Sequence, residues 1–286
     1  MAPMGSWSAA AVRKRAALLA LAVVLGGAAP IPCAKPQTVL RRAAELATSG
    51  EAEAALHLLE TFLTKCSRSL NDVDSAVFHV KAASYAGSAG DPEGARDHLG
   101  KFVHLLPAYQ SSPGWHARLE REAAALYVRI GDFGSAESLW ESTATELVGV
   151  DLSEAADAAN QLGMVELELL HREKACSAFE KSLALLKRVG AAESRQVPVL
   201  HNLATCQLQS GGTAEGRTTI ETLRASSGDD PGLRRQAELL EAQVLLREAN
   251  LKQAGTILRA IVENTKADDP IRGHALFLLA TARFDR

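Results

Sequence analysis

The stretch Leu126-Tyr127-Val128-Arg129-Ile130-Gly131-Asp132-Phe133-Gly134-Ser135-Ala136, running on to Trp140, decides the fold. A small-residue helix stops at a glycine, and an aspartate that can cap a second helix follows. Five positions after Gly131 stands the small Ala136, and four positions later the bulky Trp140. Residues four apart share one helix face. Ala136 therefore admits a neighbouring backbone, and Trp140 fills the space beside the crossing.

The same pairing recurs through six copies. The small residues are Ala55, Ala95, Ala136, Ala175, Gly216 and Ala254, spaced 40, 41, 39, 41 and 38 apart. Their large partners are Leu59, Leu99, Trp140, Phe179, Ile220 and Leu258. Preceding helices supply their own small crossing residues: Ala43, Ala83, Ala124, Gly163, Ala204 and Ala242. Such a unit cannot bury its apolar face alone and must stack on its copies.

Turn chemistry agrees. Gly50, Gly90, Gly131 and Gly211 suit the positive φ of a helix C-terminus, while Asp91 and Asp132 suit N-caps, with Pro92 at the tolerated first helical position. Pro107, Pro113, Pro231 and Pro270 read as breaks between repeats. Two-helix repeats are expected near 36–67, 76–108, 117–148, 156–189, 197–226 and 235–265. Gly273 to Ala282 begins a partial seventh, either a solvating cap or the start of more repeats in a longer protein.

Composition supports an all-α chain. Of 286 residues, 47% are hydrophobic but only 5% aromatic, so the core is built from Ala and Leu, which favour helix. Lys and Arg total 31 against 34 Asp and Glu, and no basic stripe interleaved with aromatics appears. Nucleic acid is therefore excluded as an expected partner.

The N-terminus differs from the rest. Arg13-Lys14-Arg15 precedes an apolar run, Ala16 to Leu25, then Gly26, Gly27, Ala28 and Ala29. Residues 1–34 read as a signal peptide or targeting leader and 35–286 as the repeat domain. The expected destination is export, with an organelle as the alternative. The apolar run is short for a span, so a membrane contact is expected only if the leader is uncleaved.

Cys33, Cys66, Cys176 and Cys206 fit no zinc or redox spacing. Cys176 and Cys206 fall in adjacent repeats, so a disulfide is conceivable, but buried free thiols are the favoured state.

The chain resembles the tetratricopeptide repeat family. The residues that carry the resemblance are Leu162-Gly163, Ala175 and Phe179 in one copy and Tyr127, Gly131-Asp132-Phe133, Ala136 and Trp140 in another. Asn202-Leu203-Ala204 and Gly211 form a third. The family period is about 34, so a repeat near 40 is more similar to the longer units of kinesin light chain. The resemblance implies a right-handed superhelical solenoid of antiparallel helix pairs, with ligands in a concave groove. Mapped onto the first helices, the family's groove positions give Arg118, Arg121 and Arg129, then Asn160, Met164 and Leu167, then His201 and Leu208, then Gln243. Asn202 joins them, since it and Asn160 can each clamp a peptide amide. Three arginines on one face favour an acidic partner, unless Glu120 and Glu122 neutralise them. The chaperone-tail clamp of some family members is not expected, because Leu40, Ala44 and Lys81 depart from it.

No catalytic or phosphate-loop motif is present, and no cofactor or metal is expected. His57, His79, His171 and His274 read as surface or satisfied helix residues. The expected function is a non-catalytic scaffold or adaptor for a protein or peptide. The alternative is the regulatory repeat region of a larger enzyme or signalling protein. Self-association through Ala275, Leu278 and Leu279 is a further expectation. On this register, Ala136 is buried and Glu137 faces solvent.

Overall fold

The computed structural model describes Cys33, residues 35–109 and residues 112–284. Apart from Cys33, the leader read over 1–34 lies outside the described residues. Thirteen α-helices and no strand are found among the described residues. They form six hairpins: α1 (Pro36–Thr48) with α2 (Ala52–Cys66), α3 (Asp72–Ala89) with α4 (Pro92–Leu105), and α5 (Pro113–Arg129) with α6 (Phe133–Glu146). Then come α7 (Leu152–Glu168) with α8 (Arg172–Arg188), α9 (Glu193–Gln209) with α10 (Thr213–Ser226), and α11 (Pro231–Arg247) with α12 (Leu251–Glu263). The first helix of the seventh unit is α13 (Pro270–Phe284). Each helix packs on the next in the chain, giving the expected all-α solenoid.

The small–large pairing forms the core. Ala55, Ala136, Ala175 and Ala254 are fully buried, and so are Leu59, Leu99, Phe179 and Leu258. Ala43, Ala124, Ala204 and Ala242 are likewise sealed on the first helices. Removing such apolar surface from water contributes about 25 cal/mol per Å². In an Ala-rich core, close backbone approach supplies much of the remaining contact.

The turns share one geometry. Gly50, Gly90, Gly131 and Gly211 take the left-handed conformation, with φ between +76° and +87°. After each, an amide bonds back to a carbonyl in the last helical turn, as in Asp132 N–H to Tyr127 at 2.9 Å. Repeats four and six reproduce this without glycine. Leu170 (φ 63°) and Ala249 (φ 59°) hold the left-handed position, with His171 N–H to Glu166 O and Asn250 N–H to Leu245 O both at 2.8 Å. The repeat bond imposes the conformation on side chains that disfavour it.

Five first helices start four residues earlier than the sequence reading placed them, at 72, 113, 152, 193 and 231. Pro113, Pro231 and Pro270 are not breaks between repeats; they occupy the opening turn of a helix. That position needs no amide donor, and its φ suits proline. Asn71, Asp151 and Asp230 cap these extended starts by accepting amide hydrogen bonds of 2.7–3.1 Å. The added turn accounts for the long period.

The cysteines are also corrected. None is free: Cys176 pairs with Cys206 and Cys33 with Cys66, with Cα–Cα distances of 5.6 and 5.3 Å. Those separations match the span a disulfide bridges without backbone movement. At the C-terminal end, Ala275, Leu278 and Leu279 pack with Leu239, Leu258 and Ile261 of the preceding hairpin. Of the face expected to mediate self-association, Ala275 is buried and Leu278 and Leu279 are half-buried within the chain, while Leu276 and Phe277 beside them are exposed.

Candidate functional site

The first helices of successive repeats approach one another directly along the solenoid, as α1 does α3, α3 does α5, α7 does α9, α9 does α11 and α11 does α13. The remaining junction is that of α5 with α7. A cleft of about 840 Å³ lies there, lined by Trp115, Arg118, Arg121, Ala125, Val128 and Arg129 of α5, Trp140 of α6, and Asp157 and Gln161 of α7. The structure therefore brings together all three arginines singled out in the sequence. It also adds two tryptophans that the sequence reading left out of the groove. Trp115 is 61% exposed at the rim, whereas Trp140 is 4% exposed and its Nε1 has no acceptor. A buried donor without a partner costs about 1–3 kcal/mol relative to a satisfied one.

Polar contacts between neighbouring repeats run along the same face. Arg118 donates to both oxygens of Glu154 at 3.1 and 3.3 Å, and Arg121 lies 3.7 Å from the same carboxylate. The hydrogen bond and charge of Glu154 push the Arg118 guanidinium above its ordinary pKa. Arg129 reaches Ser88 Oγ at 3.2 Å, and Lys81 pairs with Glu122 at 3.1 Å. Glu154, not Glu120 or Glu122, is thus the carboxylate that meets the arginines. Glu120 points inward, accepting from Ser142 at 3.0 Å and Thr143 at 3.4 Å. Asn202 Nδ2 donates to Asn160 Oδ1 at 3.1 Å, so the two amides hold each other, and each keeps hydrogen-bonding capacity on its other atom.

No family model and no curated protein sequence matches the chain. Solved structures do match. One holds the nearly identical TPR-like repeats of a kinesin light chain from Podosopora anserina, at 17% identity and TM-score 0.59, covering 71% of this chain and 99% of that one. A second is the signal-transduction ATPase with a tetratricopeptide repeat sensor from Pyrococcus horikoshii, at 14% identity and TM-score 0.64, covering 87% and 38%. A third is the apo quorum sensor NprR from B. thuringiensis, at 12% identity and TM-score 0.55, covering 96% and 76%. The fold is a tetratricopeptide-like solenoid.

Within this tetratricopeptide-like solenoid the remaining sequence-selected residues divide. Met164 is 46% exposed on α7, and Leu167 is half-buried against the main core. Leu208 is not a groove residue. It is 1% exposed, and its Cδ2 lies 2.8 Å from where a Gly216 β-carbon would stand. His201 sits largely buried with Nδ1 unpartnered. Burial lowers its pKa, and nearby His274 lowers it further. Gln243 Nε2 stands 3.5 Å from His274 Nε2, again one repeat away.

Two carboxylate–histidine clusters were not legible from spacing. In one, Glu166 is buried between His171 Nδ1 at 2.8 Å and Lys174 Nζ at 3.7 Å. Glu137 belongs to it, at 2.9 Å from Lys174, and so does not simply face solvent. Desolvation raises the Glu166 pKa against the pull of His171, while the hydrogen bond from Lys174 lowers that of Glu137. The other cluster joins His116, Glu120 and Glu146.

Proposed function

We propose that the protein is a non-catalytic interaction scaffold whose α5–α7 cleft takes a segment of a partner protein. The carrying observation is the α5–α7 cleft itself, about 840 Å³, with Trp115, Arg118, Arg121 and Arg129 on its walls. A bound segment brings carbonyls and side chains, and the cleft offers what these need. Trp115 is an exposed ring, and Arg129 has exposed guanidinium surface. Large, rigid aromatics give contact area at low entropy loss, and arginine adds directed donors to carboxylates.

Acidic segments are the favoured class. Glu122 and Asp157 also line the cleft but are held by Lys81 and Arg195, so Arg118, Arg121 and Arg129 have only Glu154 among them, and an incoming carboxylate offsets the remaining positive charge. The Pyrococcus horikoshii neighbour carries its repeats as a sensor, and the B. thuringiensis neighbour is a quorum sensor. Both names favour recognition over chemistry as the task of this architecture.

Export is part of the same proposal, with cleavage ahead of Cys33 so that its bond to Cys66 is kept. The basic–apolar–small order of residues 13–29 and two disulfides both suit an oxidising compartment. No helix among the described residues is long and apolar enough to cross a membrane.

The test is selection of displayed random peptides on the purified protein, followed by anisotropy titration of the enriched sequences. Enriched peptides should carry Asp or Glu, and Trp115→Ala should weaken them at least several-fold. Equal binding by wild type and Trp115→Ala contradicts the assignment to this cleft.

A further inference from the structure

We propose that His116, Glu120 and Glu146 form a binding site for a divalent cation of the zinc type. The helices dictate the grouping. His116 lies in the first turn of α5, and Glu120 stands four residues on along the same face, a spacing at which two helical side chains can share one ion. Glu146, the last residue of α6, completes the set. One ligand atom from each lies within 4.8 Å of the others.

The interior holds this arrangement. His116 is 8% and Glu120 6% exposed. Ser142 Oγ and Thr143 Oγ1 each donate to one Glu120 oxygen. A carboxylate offers about four lone-pair sites, so these bonds fix its orientation and leave room for a metal. Such outer-shell hydroxyls are typical supports for ligating carboxylates.

Charge is the deciding observation, and the second cluster supplies the contrast. Glu137, Glu166 and His171 have the same composition, but there the chain provides its own cation, Lys174, 2.9 Å from Glu137 and 3.7 Å from Glu166. Among the described residues no Lys or Arg pairs with Glu120 or Glu146. The basic group that pairs with them among the described residues is His116, whose Nδ1 is 3.0 Å from Glu146. Glu120 is buried and Glu146 half-buried, and two carboxylates so placed call for two positive charges, of which an imidazolium supplies one. A dication supplies both.

The donor set selects among metals. One imidazole and two carboxylates suit zinc in a three-ligand site with a position left for water, whereas calcium and magnesium prefer oxygen-only shells of six or more ligands. Bound there, the ion ties the start of α5 to the end of α6, one residue from Trp115 at the cleft rim.

The test uses the full chain stripped with chelator. Calorimetric titration with zinc should show one equivalent bound, and cobalt should develop visible d–d bands. His116→Gln and Glu146→Gln should weaken zinc by more than the roughly 10–100-fold that loss of an outer-shell partner causes. His171→Gln, in the other cluster, should leave it unchanged. Zinc-edge absorption on the wild-type complex needs no variant and should show a mixed nitrogen and oxygen shell. Absence of saturable binding to the wild type, or binding that both variants retain, reduces the triad to an internal ion pair and overturns the proposal. A six-oxygen shell overturns it equally.

Discussion

A β-carbon placed on Gly163 of α7 would lie 2.5 Å from Cε1 of Phe179 on α8. Helix propensity alone makes Gly163→Ala stabilising by about 1 kcal/mol. Packing argues the other way, because the opposing atoms belong to a rigid, fully buried ring and overpacking costs about 1–3 kcal/mol. Gly163→Ala is therefore predicted to be destabilising by urea denaturation. Gly216→Ala meets the tip of Leu208 instead, at 2.8 Å, and should be milder. A more stable Gly163→Ala protein would show that the crossing is looser than described.

Leu170 and Ala249 hold left-handed backbone that four equivalent turns assign to glycine. The conformation costs an L-residue about 1–2 kcal/mol, and glycine's greater freedom when unfolded returns about 0.5–1 kcal/mol of that. Leu170 is 72% exposed, so little burial is lost on its removal. Leu170→Gly should raise the denaturation midpoint, by up to about 1 kcal/mol in stability. A lowered midpoint would mean that the Leu170 side chain serves the neighbouring His171 cluster.

One disulfide, Cys33–Cys66, closes the first hairpin and the other, Cys176–Cys206, joins neighbouring repeats, with sequence separations of 33 and 30. Cys176→Ser with Cys206→Ser should cost roughly 3–4 kcal/mol by loop-closure entropy. Alkylation without reductant should label no cysteine, and all four after reduction and unfolding. Labelling of Cys176 in the folded, unreduced protein would contradict the pairing.

His79 of α3 and His98 of α4 stand with their Nδ1 atoms 3.0 Å apart. Burial, then the charges of His98 and Lys101, lower the His79 pKa from 6.5 to about 4, with Asp97 opposing. Between those values the unfolded chain binds a proton that the folded chain refuses. Stability is then complete above pH 6.5 and falls as pH drops toward 4. His79 retains solvent contact, so screening reduces the effect to the order of 1 kcal/mol. His79→Gln should flatten the fall in Tm between pH 7 and 5; an unchanged slope would place its origin elsewhere.

The repeat was legible because its signals are local. Ala136 and Trp140 sit on one helix face, and Gly131 marks a turn only glycine takes easily. The extra turn of the first helices was not legible, since Pro113 is equally a break or a first residue. Trp115 was missed with it, because it lies inside that turn. Nothing in a sequence marks Leu170 or Ala249 as left-handed; the hydrogen bonds of the turn decide that. The ion partner of Arg118 lies one repeat away, where inter-repeat packing rather than spacing sets who meets whom.

The central claim is that the α5–α7 cleft receives a partner segment. A photoreactive residue at Gln161, which lines the cleft from α7, tests it most directly with an acidic peptide selected on the wild-type protein. The account predicts crosslinking there, lost on competition with unlabelled peptide and weakened by Trp115→Ala. Crosslinking no stronger than from Leu276 on α13 would contradict it.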